Sequence, residues 1–468
     1  MDSNQLRKIA MVVGVGIVLA AGRAMAETPA DGGFYPGWGL FGSGKNIAAF
    51  NLGGNHADTA SAAIVGTDGS LYVAGTVTAT DGHNRMAIAK FNAAGVLDPE
   101  FSGDGLMTTI GPDTNATSIA FTSEGYLLVA GYRVVNGTDY DFVACLVTSG
   151  NGLNKQFAGV ANSCVTATFF PGTQDIVRAI AIQPDGKIVL AGTTGIATPT
   201  DRYAAFARFN ADGTPDNAFG NIQASNISIV RNNNVFTRHD VQAVGIASNG
   251  KIVAVGSTVV VGGSEVAGLM IRLDANGIQE DIGPTKEFPF SRDNSQNRDT
   301  GVHSMVLVRS PDSVDDDVVV SGYVELSGGV NSGFLAKVLP QGVLDSAFGE
   351  GNGFTAVTPA SGDLDFLRLS RQPDGSFVAI GQRPASDGLD IDVRRFTRNG
   401  LVDHAFGNDG GVTIDFGTTG QLDFASAVVA DKDAIYIAGY SYISVSDYDF
   451  VVAKLGLDRI FADGVDLP

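Results

Sequence analysis

The chain has 468 residues, 44% hydrophobic and only 17% charged, with 61 glycines and a single tryptophan. Its formal net charge of −20 repels nucleic-acid phosphates and anionic lipid, which argues against both as partners and leaves cations or basic groups as the charge-complementary ones. Many glycines set among β-branched and aromatic runs predict short strands joined by tight turns.

Residues 1–26 read as a secretory signal peptide. Arg7 and Lys8 give a basic start, residues 9–21 an apolar core, and Ala24-Met25-Ala26 a small-x-small cleavage pattern. That core is short for a membrane span, and no later run reaches the ~18 apolar residues a span needs. The expectation is a monomeric exported protein, periplasmic or extracellular, with no membrane span. Residues 27–33 form a Gly/Pro/Asp-rich lead-in.

From residue 34 a repeat takes over. Its clearest copy is Arg178-Ala179-Ile180-Ala181-Ile182-Gln183-Pro184-Asp185-Gly186-Lys187-Ile188-Val189-Leu190-Ala191-Gly192. It reads as a strand, an Asp-Gly turn of type I′, and a second strand. The glycine closing the second strand recurs at Gly75, Gly131, Gly192, Gly256, Gly322, Gly381 and Gly439, defining units 1 to 7 with a period of about 61 residues. Each unit holds four strand candidates, in unit 3 at residues 179–183, 188–193, 204–210 and 227–231. Four antiparallel strands with short loops predict the blade of a β-propeller. Second strands apolar on both faces, such as Ile188-Val189-Leu190-Ala191, suit blades stacked face to face. Unit 7 ends after three strands, and the stretch from Phe41-Gly42 to Phe50 matches the stretch from Phe406-Gly407 to Phe416 in character. The fold expected is therefore all-β, a seven-bladed β-propeller over residues 34–461. An N-terminal strand would complete the last blade and close the ring, and residues 462–468 would form a tail.

The units resemble the delta-60 repeat of exported bacterial β-propeller-like proteins. The matching stretches are Ala207-Arg208-Phe209-Asn210-Ala211-Asp212-Gly213 with Phe219-Gly220, and residues 182–192. The resemblance covers nearly all of the chain after the leader. It implies a fold and carries no activity and no catalytic residues.

Six units place a basic residue on the third strand: Lys90, Arg208, Arg272, Lys337, Arg395 and Lys454. The same units have an acid in the following link: Asp98, Asp216, Glu280, Asp345, Asp403 and Asp458. Unit 2 lacks both, with Cys145 and Asn154. Joint loss points to structural ion pairs within a blade, since a partly buried charge without its partner is costly. Cys145 and Cys164 fall on neighbouring third and fourth strands. Export permits a disulfide between them, the alternative being two buried thiols, and no zinc or thiol-protease spacing surrounds either.

Aspartates Asp58, Asp175, Asp240, Asp299, Asp365 and Asp423 lead into first strands. Asp81, Asp139, Asp141, Asp201, Asp390, Asp392, Asp447 and Asp449 lie between second and third strands. In an up-and-down blade both connections fall on one face, so carboxylates there could hold calcium, which takes oxygen ligands. The alternative is capping of strand ends and turn amides. His56, His239 and His303 fall on the same face but in different blades, and read as isolated. There is no Gly-x-Ser-x-Gly elbow, phosphate-binding glycine loop or His-Glu-x-x-His motif. The function expected is noncatalytic binding of a protein or glycan through an acidic loop face. The alternatives are a purely structural envelope component and a glycan-directed hydrolase or lyase, which requires a carboxylate of raised pKa in a cleft. The inserts at 221–235 and 283–300 mark the units that deviate most.

Overall fold

A computed structural model describes residues 31–50, 57–108, 113–148, 152–153, 157–159, 163–195, 202–222, 225–230, 236–260, 266–280, 287–288, 299–311, 313–326, 329–360, 362–386, 388–416, 422–444 and 447–457. The expected leader 1–26, residues 27–30 of the lead-in, the tail, and His56, Asn154, Asp201 and Asp458 lie outside the described residues.

Every regular element among these residues is a strand, apart from two 3-10 turns at Leu40–Gly42 and Phe157–Gly159. The strands form four sheets of four strands, one of five and one of eight; the last is two four-strand runs joined at the single parallel pair Arg202↔Arg238. No sheet closes on itself. Within a unit the strands follow sequence order and pair antiparallel. Unit 3 runs Ile176–Ile182, Ile188–Gly195, Arg202–Phe209 and Ile227–Val230.

The hairpin signal is real, but the turn differs from the one expected. Of the two central residues only Gly186 has positive φ, at 82°. Gln183 N–H donates to Lys187 O and Gly186 N–H to Gln183 O, each at 2.8 Å. This is a three-residue Pro-Asp-Gly loop with a left-handed glycine at its end, which asks nothing unusual of Asp185. The repeated glycine closing the second strand has a different cause. Every first strand carries a bulge that pushes a carbonyl toward it, and a Cβ on Gly192 would lie 2.0 Å from Ile176 O. No side chain fits there.

Second strands are buried along almost their whole length, as in Leu71–Thr78 and Ile188–Gly195. The apolar clusters lie between neighbouring units; one joins Leu71 and Val73 of unit 1 to Tyr436 and Phe450 of unit 7. First strands pack on one another from each unit to the next, and that of unit 7, Asp423–Ala430, packs on that of unit 1, Thr59–Val65.

A latch links successive units. The ring of a phenylalanine followed by a small residue, Gly or Ala, lies over the positive-φ glycine in the turn of the next unit: Phe157 over Gly213, Phe219 over Gly277, Phe348 over Gly400. The glycine after that aromatic donates its N–H to the same turn, Gly220 to Asn276 O and Gly349 to Asn399 O, both at 2.7 Å. The N-terminal segment supplies this latch from unit 7 to unit 1, but not through Phe41-Gly42 as expected. Trp38, 2% exposed, covers Gly95, and Gly39 N–H donates to Ala94 O at 2.8 Å. Phe41 is 98% exposed. The strand Lys45–Ala48 then pairs antiparallel with the third strand of unit 7, Asp447–Gly456.

Candidate functional site

The third-strand cations meet their acids in five units. The distances are 2.7 Å for Lys90–Asp98, 2.9 Å for Arg208–Asp216, 2.8 Å for Arg272–Glu280, 2.9 Å for Lys337–Asp345 and 3.3 Å for Arg395–Asp403. Arg208 and Arg272 also donate to carbonyls in the next unit, Ala275 O and Pro340 O, so these cations brace neighbouring sheets. In unit 7, Asp458, the expected partner of Lys454, lies outside the described residues. Tyr35 occupies the acid's place, its N–H donating to Lys454 O just as Asp98 N–H donates to Lys90 O. The Lys454 ammonium sits 4.1 Å from the Tyr35 ring centre and 4.8 Å from that of Tyr436, and burial lowers its pKa. In unit 2, Cys145 and Cys164 are directly opposed on paired strands with sulfurs 2.15 Å apart.

The aspartates leading into first strands do not share one register position. Asp58, Asp175 and Asp423 stand two residues before the partner of the closing glycine. Asp240 and Asp365 stand one residue later and Asp299 one residue earlier than the equivalent positions, His239, Leu364 and Thr300. Successive strand residues point to opposite faces, so regular spacing in the sequence does not gather all six carboxylates. Asp240 is held by Arg202 at 3.1 Å and by Arg238, and Asp365 by His303 at 3.0 Å. Asp299 accepts from Val266 N–H at 2.8 Å, Asp139 from Gly172 N–H at 3.1 Å, and Asp81 from His83 N–H at 3.1 Å. These three cap backbone, the bland alternative. His239 is buried against Thr258 Oγ1 at 3.0 Å, apart from His303.

The three in-register aspartates each face an aspartate of the preceding unit. The third-strand residue two places before the partner of the closing glycine is Asp141, Asp390 or Asp449. The pairs are Asp141 with Asp175, Asp390 with Asp423, and Asp449 with Asp58. At each of these seams a parallel bridge ties the two units, Tyr140↔Gln174, Leu389↔Leu422 and Tyr448↔Ala57. The buried aspartate then accepts an N–H from the phenylalanine that follows a fourth strand: Phe169 to Asp175 at 2.8 Å, Phe416 to Asp423 at 2.8 Å, Phe50 to Asp58 at 3.1 Å. Thr194 Oγ1 adds a hydrogen bond to Asp175 at 2.6 Å. The remaining four seams carry Arg85 with Thr114, Tyr203 with His239, Ala267 with Thr300, and Ser332 with Leu364. Carboxylates therefore come in pairs or not at all.

Burial raises the pKa of these groups. Asp58 is pushed up to about 7, with Phe50 N–H opposing and the charges of Asp449 and Asp447 adding. Asp175 rises to about 6 through burial and Asp141, against its hydrogen bonds, and Asp449 to about 6 through burial and Asp447. Asp423 is raised by burial, against Ser441 and Phe416. Asp390, Asp415 and Asp423 bring one oxygen each within 4.8 Å of one another, the only such acidic group found among the described residues. Lys45 lies beside them, donating to Asp415 O.

Pattern reading did not anticipate a cleft of about 320 Å³ between units 5 and 6, lined by Thr358, Arg383, Asp392, Arg394 and His404. Asp392, expected among the loop carboxylates, sits at an otherwise apolar third-strand position and pairs with Arg394 at 2.6 Å. Nothing in the repeat pattern marks that cleft, because its residues come from three separate strands and a link.

A family model described as a domain of unknown function (DUF5122) beta-propeller matches residues 66–101, 183–219 and 247–277. Each match begins at or just before a hairpin turn and ends on or near a latch. In these three stretches the repeats are of β-propeller type. No curated protein matches it. Among solved structures it is similar to the extracellular domain of a one component system from B. thetaiotaomicron, at 13% identity and TM-score 0.41, over 86% of this chain and 39% of that one. It is also similar to the polysaccharide lyase Uly1, at 9% identity and TM-score 0.48, over 92% and 98% of the two chains. A third is the WD40 β-propeller domain of Doa1, at 14% identity and TM-score 0.40, over 86% and 94%. Likeness at this level speaks to neither ligand nor activity. No helix among the described residues is long and apolar enough to cross a membrane.

Proposed function

We propose that the units form one seven-bladed ring spanning residues 34–461, closed where the N-terminal strand completes unit 7. In this reading the protein is exported behind a 1–26 leader and serves as a noncatalytic binding module for a protein or glycan, acting through its acidic loop face. The ring reading is supported by the seam between units 7 and 1. It has the same parallel bridge, the same phenylalanine N–H to aspartate bond and the same carboxylate pair as the seams between units 2 and 3 and units 6 and 7.

That threefold recurrence carries the functional reading. An active site is a single constellation, whereas one carboxylate pair built three times makes three equivalent, largely buried sites for small cations. The raised carboxylates Asp58, Asp175 and Asp449 also line none of the clefts described above, which weighs against hydrolase or lyase chemistry. Calcium is the small cation suited to such a face, at Asp390, Asp415 and Asp423 first, where it would displace the Lys45 ammonium. The test is thermal unfolding of residues 27–468 in chelator and then with calcium restored. A ligand held only by the folded state at about 100 times its dissociation constant adds roughly 2.7 kcal/mol. A saturable rise that Asp423→Asn removes supports calcium-dependent binding. No rise refers the acidic face to basic protein partners, and failure to capture any of these would sink the binding reading.

A further inference from the structure

Protein charge is distributed unevenly here. Against a net charge of −20, two arginines on first strands have no carboxylate partner among the described residues. Arg178 sits at the bulge in the first strand of unit 3, between the paired residues Val177 and Ala179. Arg368 directly follows the bulge in the first strand of unit 6, Asp365–Arg371. Among the described residues its one hydrogen bond is from Nη1 to the neighbouring carbonyl, Leu367 O, at 2.8 Å. In the other six units that place holds a small residue: Ala62, Ser118, Ala179, Ala243, Ser304 or Ala427.

First strands are the sheet edges that pack on one another, yet they stay half-exposed where second strands are buried. Water therefore reaches the inner edges of the units. Arg178 is exposed and Arg368 half-buried, as side chains are when they project into a wet channel. The two arginines are three units apart in sequence order, on first strands that pack one on the next from unit to unit. Nearby carboxylates are committed elsewhere: Asp240 to Arg202 and Arg238, Asp365 to His303. Counting these groups, four arginines stand against two aspartates. An enclosed guanidinium with no counter-ion costs free energy unless something else neutralises it.

We propose that the inner channel binds an oxyanion, a carboxylate or sulfate group, between Arg178 and Arg368. The proposal rests on the ring reading, which brings units 3 and 6 face to face. Guanidinium groups suit it, because their planar forks match the oxygens of both anions.

Isothermal titration calorimetry of residues 27–468 with inorganic sulfate, and separately with D-glucuronate, tests it. Calorimetry is preferred to melting because sulfate stabilises folded proteins generally by exclusion from their surface. Saturable binding is expected, weakened at least about 10-fold by Arg368→Ala or by Arg178→Ala, since a hydrogen bond to a charged group contributes about 1.5–3 kcal/mol. Tighter binding of glucuronate than of sulfate would identify an acidic sugar as the source of the anion; the reverse would identify a free anion. Without added anion, Arg368→Ala should unfold at higher denaturant than the wild type, because it removes an unpaired charge. Absence of saturable binding, or equal affinity in the variants, overturns the proposal. The ring is checked independently by the distance between nitroxide labels at Ser61→Cys and Gln242→Cys, the bulge positions of units 1 and 4. A single short distance with no anion binding sinks the anion site alone. A long or broad distribution sinks the ring and the site with it.

Discussion

Replacing Asp58 by asparagine should stabilise the protein at pH 8, less so at pH 5, and leave it unchanged only below about pH 4. Asp58 is 5% exposed, and burial together with Asp449 and Asp447 lifts its pKa to about 7. In the unfolded chain an aspartate titrates near ~3.9. The folded state therefore keeps a proton that the unfolded state has released. That stabilising contribution is complete below the unfolded value and is lost as pH rises from about 4 through 7. A shift of roughly three units corresponds to about 4 kcal/mol, an upper bound because neighbouring groups relax and Asp449 titrates as part of the same pair. Asparagine keeps an oxygen to accept the Phe50 N–H, 3.1 Å away in the wild type, and cannot ionise. Urea unfolding at pH 5, 6, 7 and 8 reads the effect. The wild type should lose stability across this window and Asp58→Asn should lose much less, so their curves separate as pH rises. Wild-type stability that is flat or increases from pH 5 to 8, or a variant curve parallel to it, would refute the argument.

Arg208→Ala should cost about 3–5 kcal/mol, because it leaves Asp216, Gln183 and Ala275 O without a partner they use in the folded state. Asp216→Ala should cost much less in that background than in the wild type; additive losses in the double-mutant cycle would show the pair to be uncoupled. Trp38→Ala should cost about 3–5 kcal/mol and Phe41→Ala almost nothing, although both are aromatics in the same short segment. Comparable losses in the two would place the latch from unit 7 to unit 1 elsewhere. Reducing Cys145–Cys164, which are 19 residues apart, should lower stability by about 3 kcal/mol in denaturant titrations with and without reductant; unchanged midpoints would count against a bridge in solution.

How far the sequence could be read depended on whether a feature is local. The closing glycines, the Asp-Gly loops and the third-strand cations each have their cause within about 20 residues, so their period was visible. Features made by two distant segments were not. Tyr35, which packs on Lys454 where other units place their acid, comes from some four hundred positions away, and no local repeat reveals it. Trp38 escaped notice for a similar reason: the repeat is Phe-Gly, and Phe41-Gly42 matched by letter where Trp38-Gly39 matches by place. For the aspartates the difficulty was parity. Asp365 and Asp423 both precede a phenylalanine, yet Asp365 pairs with the residue next to Gly381 and Asp423 with one two places from Gly439. A one-residue difference in register turns a side chain to the other face, and linear spacing cannot detect it.

Repetition itself then sorts structural residues from candidates for function. Where all or most units use one device, as with the latch glycines or the third-strand cations, its explanation is the packing of one sheet on the next. The carboxylate pairs are different, because only three seams have them and the other four do without. Burial raises the pKa of Asp58, Asp175, Asp423 and Asp449 and makes folding sensitive to pH, so the pairs carry a cost where they occur, even though each buried aspartate also accepts an N–H at its seam. Arg368 goes further, standing alone where six units have alanine or serine. A residue that burdens the fold, serves no joint and breaks the pattern of its own neighbours is best explained by something it contacts outside the chain. By that criterion Arg368 is the first place to look for a ligand, and the seam aspartates, which meet it in cost and in breaking the pattern but also bond at their seams, are the second.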